Sequence, residues 1–260
     1  MCGTLRLLTG LSTALTAIAF TLGAHAADII WQTPADETGS TSDIVVIGAP
    51  FDAVTANAGG TVGGVVFRGP AGFASNTLTF GAGSKITVSG LKNGHATFGA
   101  LPPAAWDSNY RSLVYGGGFA RLPATPAINL TGLIFGTQYT VQIFESFWDI
   151  DWATTFTGGA NTSLPVKTAG PAMAGPAIEG APAASVAQYV IGTFIADGPA
   201  ETIWMNSPTN FAIFDAIQVR TEDSFLVTSV AAPEPSSLAI GFSAAAILGV
   251  VRRRRTTKAA

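Results

Sequence analysis

Carboxylates and indoles lie closest together in the segment "ESFWDIDWATT" (145–155). An indole face can stack on a sugar ring while neighbouring carboxylates accept hydrogen bonds from the sugar hydroxyls. Oxygen ligands this close in sequence could also begin a calcium site, although calcium takes six to eight oxygens. A third interpretation is that one tryptophan packs in the core while the aspartates lie in a solvated turn. The candidate glycan contacts are Trp148, Asp149, Asp151 and Trp152, and they follow Glu145.

All three interpretations stay open, and under the second Asp149 and Asp151 are the candidate calcium ligands. Trp106, in "PPAAWDSNY", repeats the Trp-Asp pairing and is either a loop plug over the end of the domain or another glycan contact. Trp31, near the predicted mature N-terminus, is a further candidate for an exposed aromatic side chain. Trp204 alternates with Met205 in a predicted strand, which predicts that it belongs to the core.

The residue patterns of common catalytic sites are missing from the sequence. His95 is the one histidine downstream of the predicted leader; it lies in a predicted turn, and no G-x-S-x-G pattern accompanies it. The sequence also lacks H-E-x-x-H and P-loop motifs. We therefore expect no catalytic residues and no cofactor, with calcium as the one candidate ion.

The segments that would position these residues are predicted to be β-strands. Short runs rich in Val, Ile, Phe and Thr are separated by Gly, Pro, Asn and Asp. In 138–144, apolar and polar residues alternate, which predicts one buried and one solvated face. The run 211–220 is apolar on both faces and is predicted to be a single central strand. The predicted strands are 44–48, 64–67, 76–80, 85–90, 127–130, 138–144, 188–196, 201–206 and 211–220.

One segment has helical character. Ser108 is a predicted N-cap, Gly116 a predicted stop, and Tyr110, Leu113 and Val114 share one face. The Gly-, Ala- and Pro-rich stretch 158–185 is predicted to contain no strand, and is either a flexible insertion or a lid beside a site. About nine strands with one helix predict an all-β, antiparallel β-sandwich or jelly roll.

The N-terminus has the features of a secretory leader. Arg6 precedes an apolar run, and Ala24-His25-Ala26 is a small-x-small cleavage site, so cleavage is predicted after Ala26. Cys2, the one cysteine of the chain, leaves with the leader. The mature chain then has no disulfide, no cysteine-ligated metal and no cysteine nucleophile.

The C-terminal tail combines an apolar run with a basic end. Residues 237–251 carry no charge, and 15 helical residues span roughly 22 Å, so flanking residues or local thinning must complete a bilayer crossing of about 30 Å. The cluster Arg252–Arg255 would stay on the cytoplasmic side. The alternative is a buried helix with a basic tip.

This tail resembles the PEP-CTERM sorting signal of Gram-negative bacteria. The resemblance rests on Pro233, Glu234 and Pro235, followed by the apolar run and by Arg252, Arg253, Arg254 and Arg255. It implies Sec export, transient insertion in the inner membrane, processing by an exosortase-type enzyme, and delivery to the cell surface or an exopolysaccharide matrix. The expected division is a leader (1–26), a β-sandwich domain (27–232) and a sorting signal (233–260) with membrane segment 237–251, a C-terminal hydrophobic helix, and basic tail 252–258.

The domain itself resembles a jelly roll of the galactose-binding-like type found in exported bacterial proteins. The segments that carry the resemblance are 61–67, 109–118, 128–146 and 190–220. Many members hold carbohydrate in loops at one end, and where the family often has asparagine this chain has Asp215.

Charge and export together define the expected function. Seven basic and 15 acidic residues lie between Ala27 and Ala232, a net charge of −8, which argues against nucleic-acid binding. We expect a non-catalytic surface or matrix module that associates with exopolysaccharide. The alternatives are a structural matrix or envelope protein acting through protein contacts, or a carbohydrate-active hydrolase, which would need two opposed carboxylates.

Overall fold

A computed structural model describes residues 26–96, 102–115, 117–121, 124–146, 153–168, 187–208 and 211–222. One 3₁₀ turn (Thr41–Asp43) and one helix, α1 (Ser108–Val114), accompany the strands. The first nine strands are β1 (Ile30–Trp31), β2 (Ala35–Asp36), β3 (Ala49–Thr55), β4 (Gly60–Val62), β5 (Val65–Phe67), β6 (Gly72–Ala74), β7 (Thr77–Thr79), β8 (Ile86–Ser89) and β9 (Asn93–Ala96). The remaining strands are β10 (Gly117–Arg121), β11 (Ala127–Thr131), β12 (Gln138–Glu145), β13 (Ala153–Gly158), β14 (Asn161–Thr162), β15 (Val166–Lys167), β16 (Gln188–Ile195), β17 (Ala200–Asn206), β18 (Phe211–Phe214) and β19 (Ala216–Thr221).

Antiparallel sheets make up the fold, which confirms the all-β prediction and is consistent with a β-sandwich. The six-stranded sheet has the order β1-β16-β12-β19-β3, with β2 also on β16. The eight-stranded sheet has the order β14-β13-β17-β11-β8-β7-β6, with β15 also on β13. A three-stranded sheet, β18-β10-β9, and the hairpin β4–β5 complete the described part.

The two large sheets share one hydrophobic core. Val141, Ile143 and Ile217 from the six-stranded sheet are fully buried in the same cluster as Ile128 and Ile203 from the eight-stranded sheet. Burying apolar area between two sheets is the main stabilising contribution available to a chain without disulfides.

A second, smaller cluster covers the outer face of the six-stranded sheet. Helix α1 places Tyr110, Leu113 and Val114 there, as the helical spacing predicts, and they pack with Phe144 and with Phe67 of β5. Both faces of β12 are therefore buried from Tyr139 to Glu145, while Gln138 is exposed. The prediction of a solvated face on 138–144 is wrong beyond Gln138, because helix α1 and hairpin β4–β5 pack on Phe144 and the segment that contains Asp43 and Val45 bonds to Gln142.

The predicted strand 44–48 is also wrong. This segment crosses the outer face of the six-stranded sheet as an irregular strap, and the strand begins later, at β3. Side chains hold the strap: the Val45 amide donates to Gln142 Oε1 (3.0 Å), Gln218 Nε2 donates to Val45 O (3.0 Å), and Arg220 Nε donates to Ile47 O (2.8 Å). These bonds replace the ladder that a strand would have made.

The run 211–220 forms two strands instead of the single strand that its pattern predicts. The chain leaves the three-stranded sheet after β18 and enters the six-stranded sheet as β19, with Asp215 at the break. The second half does lie between β12 and β3, so the prediction of a central strand is confirmed for β19.

Four smaller predictions need correction. Asp107 caps α1, because its carboxylate accepts from the amides of Asn109 and Tyr110, so Ser108 is the first helical residue. His95 lies in strand β9, and the stretch 158–185 contains β14 and β15. Trp204 is 47% exposed because it is Met205 that faces the core.

Within the described residues, no helix is long and apolar enough to cross a membrane. The leader, the sorting motif 233–235, the membrane segment 237–251 and Arg252–Arg255 all lie outside them, so those predictions stay predictions.

Candidate functional site

Three buried carboxyl groups lie together where β12 ends. Glu145 is the last residue of β12, Asp215 lies at the β18–β19 break, and Glu37 follows β2; we refer to these three residues as the carboxyl cluster. Their exposed fractions are 0%, 0% and 3%. Glu145 continues the row of Val141 and Ile143 on the face toward the shared core.

Ser146 links two members of the carboxyl cluster. Its amide donates to Asp215 Oδ2, and its hydroxyl donates to Glu37 Oε1 at 2.5 Å. The backbone around Asp215 is fixed as well, because its carbonyl accepts from the Ala56 amide (2.7 Å) and the Thr55 hydroxyl (3.1 Å). Strands β3, β12 and β19 are thereby tied at the end where β12 stops.

Several polar atoms in and beside the carboxyl cluster have no hydrogen-bond partner. Both carboxylate oxygens of Glu145 are buried and unpartnered, as are Glu37 Oε2, Asp215 Oδ1 and the Tyr110 hydroxyl. Leaving buried polar groups without partners destabilises a fold by about 1–3 kcal/mol each. Buried polar atoms in folded proteins nearly always have a hydrogen-bond partner, so this concentration of unpartnered oxygens singles out the carboxyl cluster within the described interior.

Burial raises the pKa of every acid in the cluster. The pKa of Asp215 rises to about 8 through loss of hydration, which the Ser146 amide partly offsets. Burial also raises the pKa of Glu37 well above its usual value, and the negative charge of Asp215 adds to this against the bond from Ser146. Burial raises the pKa of Glu145, and the negative charges of Asp215 and Glu37 raise it further. The nearby Thr154 lowers this pKa, although it does not reach hydrogen-bond geometry with either carboxylate oxygen of Glu145.

The neighbouring Tyr110 hydroxyl is affected in the same direction. Burial raises its pKa, and the negative charges of Glu37 and Asp43 raise it further. The phenol is therefore neutral over the whole physiological range. At neutral pH it offers the cluster a hydroxyl and no charge.

Strand β10 makes room for Asp215. A Cβ on Gly117 would overlap Asp215 Oδ1 and would lie 2.9 Å from the carbonyl oxygen of Phe214. A glycine at this position lets the carboxyl group enter the space between the strands. The sequence segment around 117 shows glycines, but nothing in it identifies which carboxyl group they accommodate.

Burial favours the protonated form of the carboxyl cluster. Asp215, whose pKa is raised to about 8, carries an O–H donor at neutral pH, and interacting carboxyl groups lose their protons in successive steps that belong to the cluster and not to single residues. Among the described residues, no three Asp, Glu, His or Cys side chains are placed to hold one metal ion. The cluster also fixes Ser146, at one end of the segment 147–152, while Ser207 Oγ donates to the carbonyl of Ala153 (2.9 Å) at the other.

The sequence-predicted contacts fall into two groups. Trp148, Asp149, Asp151 and Trp152 lie outside the described residues, between Ser146 and Ala153. Trp106 is half-buried, with its ring 5.6 Å from that of Tyr110 in an edge-on arrangement. A Cβ on Gly39 would overlap the Trp106 indole, so this ring lies directly on the backbone.

Trp31 is partly buried rather than exposed. Its ring lies 6.1 Å from that of Phe156 and packs against the shared core. Glu145 belongs to the acidic segment that the sequence identifies, but its carboxyl group faces inward. The sequence does not identify Glu37, Ser146 or Tyr110 as site residues. The nearest indication is the segment Ser-Phe-Trp-Asp, which begins at Ser146.

Several concave surfaces of the described residues lie away from the carboxyl cluster. A groove of about 470 Å³ runs between β3 and hairpin β4–β5, lined in part by Phe51, Val66 and the ion pair of Asp52 with Arg68. A cavity of about 570 Å³ lies at the start of the described chain, beside Asp28 and Asp197.

Comparison with known proteins gives no relative for this chain: no protein-family model, curated protein or solved structure matches it.

Proposed function

We propose that this chain is an exported surface or extracellular-matrix protein, sorted through a PEP-CTERM/exosortase-type signal and acting as a non-catalytic module that associates with exopolysaccharide. The observation that carries this proposal is the tail, in which Pro233-Glu234-Pro235, the uncharged run 237–251 and Arg252–Arg255 follow in order. The all-β fold supports a compact cargo domain, which we assign to the galactose-binding-like jelly-roll type. Its partners are an exosortase-type enzyme, the inner membrane transiently, and a glycan.

We place the glycan contact at the end of the domain where β12 stops. Trp148, Asp149, Asp151 and Trp152 join Ser146 to Ala153. Indole faces bind the apolar faces of sugar rings, and carboxylates accept hydrogen bonds from their hydroxyls. The buried bonds of Ser146 and Ala153 support this placement because they give the segment two fixed ends.

The proposal is tested by co-sedimentation of the purified protein with the producing organism's own polysaccharide. We expect the double substitution Trp148→Ala, Trp152→Ala to weaken binding about tenfold or more, since it removes two indole contacts and a loss of about 1.4 kcal/mol is already tenfold. Trp204→Ala is the matched control, because it removes an exposed indole that lies in β17. Unchanged binding by the double variant would place the contact elsewhere.

The same co-sedimentation experiment, carried out in millimolar calcium and again in chelator, tests whether Asp149 and Asp151 bind calcium. Ligation by Asp149 and Asp151 would make glycan binding calcium-dependent, and Asp149→Asn would remove that dependence. Equal binding in the two buffers would leave these aspartates as direct glycan contacts or turn residues.

A structural matrix protein that acts through protein contacts is the second candidate. The observation in its favour is an exposed apolar edge on the six-stranded sheet: Ile30 and Ile195 are 68% and 61% exposed, and the pairing of Ile30 with Thr193 puts both on one face. Failure to bind any polysaccharide, together with capture of the chain by the insoluble matrix, would favour this candidate. Turnover of a sugar substrate by the purified protein would favour the third class, a hydrolase.

A further inference from the structure

The first residues after the predicted leader are part of the folded core. Ile29 is fully buried, and its amide donates to the carbonyl of Gly158 at 3.3 Å. The next two residues form β1, which pairs with β16. A Cβ on Gly192 would lie 2.6 Å from Ile29 Cγ2, so the absence of a side chain there makes the space that Ile29 fills.

Glu201 meets the first residue of this segment. The Ala27 nitrogen donates to Glu201 Oε2 at 2.6 Å, and the Thr202 amide donates to Oε1 at 3.1 Å. Glu201 shares the inward face of β17 with Ile203 and Met205 and is 2% exposed, while Ala27 is 6% exposed. A carboxyl group therefore faces the core, and its partners are two backbone amides.

The Glu201 carboxylate has no positive charge as a partner as long as the Ala27 nitrogen belongs to a neutral peptide bond. Burial raises the pKa of Glu201 to about 7, the two amides lower it, and the nearby carboxylates of Asp197 and Asp28 raise it again. The ion pair of Arg68 with Asp52 lies elsewhere in the fold, and the bonds that Glu201 accepts come from the Ala27 nitrogen and the Thr202 amide. A buried carboxylate without a cation is strongly destabilising, so this position lacks one positive charge.

The predicted leader cleavage would supply that charge on the same atom. Hydrolysis of the Ala26–Ala27 peptide bond adds one water, which leaves a carboxylate on Ala26 and, at neutral pH, an α-ammonium on Ala27. The cavity of about 570 Å³ lies here, with Ala26, Asp28 and Asp197 in its lining. Ala26 is exposed and does not belong to the core cluster, so its removal leaves that cluster intact, and the acidic lining favours a cation.

We propose that removal of the leader after Ala26 creates an α-ammonium that forms a buried ion pair with Glu201, so that export processing completes the folded domain. The pair would lock Ala27–Trp31 between the sheets, and the unprocessed chain would be less stable than the mature one. The inference rests on the export part of the proposed function and is independent of glycan binding.

The first test is a thermodynamic cycle on proteins that differ only in their first residue and at position 201. Proteins that begin at Ala27 or at Ala26 are made, each with Glu201 intact and with Glu201→Gln, and melted at pH 7. We expect the one-residue extension to lower Tm by about 5 °C or more when Glu201 is intact, and by much less in the Glu201→Gln pair. Asp36→Asn, which neutralises an exposed carboxylate, is the matched control and should leave the effect of the extension unchanged. Equal Tm shifts with and without Glu201 would overturn the proposal.

The second test measures the α-amine itself, through the pH dependence of its acetylation by trace acetic anhydride. An ion pair raises the pKa of the amine above the ordinary 7.7–8.0, and we expect a rise of at least one unit that disappears in Glu201→Gln. The stability that the ion pair contributes is then present below pH 8 and is lost as the pH rises through the raised pKa of the Ala27 amine. It is also lost in acid, where the Glu201 carboxylate takes up a proton. Asp28 and Asp197 face the same amine and also raise its pKa, so the comparison with Glu201→Gln isolates the partner. An ordinary value in the chain that begins at Ala27 would overturn the ion pair.

Sequencing the N-terminus of the exported protein separates the two proposals. A start at Ala27 without coupling to Glu201 ends the ion pair and leaves the function untouched. A start at another residue ends the ion pair and the predicted cleavage site together, while the polysaccharide experiment still decides the function.

Discussion

Asp215 lies at the break between two strands that belong to different sheets. Its carboxyl group accepts from the Ser146 amide, lies against Gly117, and is fully buried. The sequence places Asp215 on the apolar face of a strand, but it cannot show that burial is complete or that Glu37 and Glu145 lie nearby, because those contacts join residues far apart in the chain.

Asp215→Asn should change how stability depends on pH. The folded pKa of about 8 exceeds the unfolded value of about 3.9, so the folded state holds the proton more tightly. Stability associated with this group is fully present below about pH 4 and is lost as the pH rises toward 8, at up to about 1.4 kcal/mol per pH unit. Asparagine cannot ionise, so urea unfolding should show a smaller loss of stability between pH 5 and pH 8 in the variant.

In Asp215→Asn the loss of stability between pH 5 and pH 8 should be smaller than in the wild type but still present. Glu37 and Glu145 also have raised pKa values, so their ionisation destabilises the folded state in the same pH direction. The matched control is again Asp36→Asn, which removes an exposed carboxylate and should not reproduce the effect of Asp215→Asn. Parallel profiles for wild type and Asp215→Asn would mean that Asp215 is ionised in the folded protein.

At the level of elements, the predictions succeed where local alternation decides the structure. Strands β7, β8, β11, β12, β16 and β17 lie where periodicity predicts them. The segment 44–48 has the composition of a strand, yet Gln142, Gln218 and Arg220 take its backbone bonds, and no local pattern reports a partner 97 or 173 residues away. The prediction of a solvated face on β12 fails for the same reason, since α1 packs on Phe144 and the segment 44–48 lies on Gln142.

Gly192 in β16 allows a test of how the N-terminal strand packs. A Cβ there would lie 2.6 Å from Ile29 Cγ2 and 2.7 Å from Trp31 Cε3. We expect Gly192→Ala to destabilise the protein by about 1–3 kcal/mol, because the N-terminal strand must move out of a packed core. Thermal melting measures the loss, and hydrogen exchange at the Ile29 amide should rise with it.

Gly60→Ala is the matched control, since a Cβ at that strand position meets nothing within 4 Å. It should change stability by no more than about 0.5 kcal/mol. Adding Ile29→Ala to Gly192→Ala should restore part of the packing, with stability above that expected from two independent losses. Strict additivity would show that Ile29 is not the side chain that Gly192 accommodates.

At the scale of the whole molecule, composition and turn residues are enough to predict an all-β chain, because many short apolar runs between Gly, Pro and Asn leave few alternatives. The layer order is beyond such reasoning. The crossing from β18 to β19 and the burial of both faces of β12 along most of its length arise from contacts between distant segments. The sorting tail, in contrast, can be predicted from the sequence alone, because its motif, apolar run and arginine cluster are adjacent in the chain.

The sorting signal can be tested on the complete chain in a producing bacterium. Replacing Pro233, Glu234 and Pro235 with alanine should leave the protein in the inner membrane fraction, because the processing enzyme would lose its motif while the apolar run and Arg252–Arg255 still anchor the chain. The exported wild-type protein should have a mass that lacks Arg252–Arg255. The control carries Pro176→Ala, Glu179→Ala and Pro182→Ala, which remove the same residue types from the Gly- and Pro-rich stretch. Release of the motif variant at the wild-type rate, or recovery of the four arginines in exported protein, would contradict the sorting proposal.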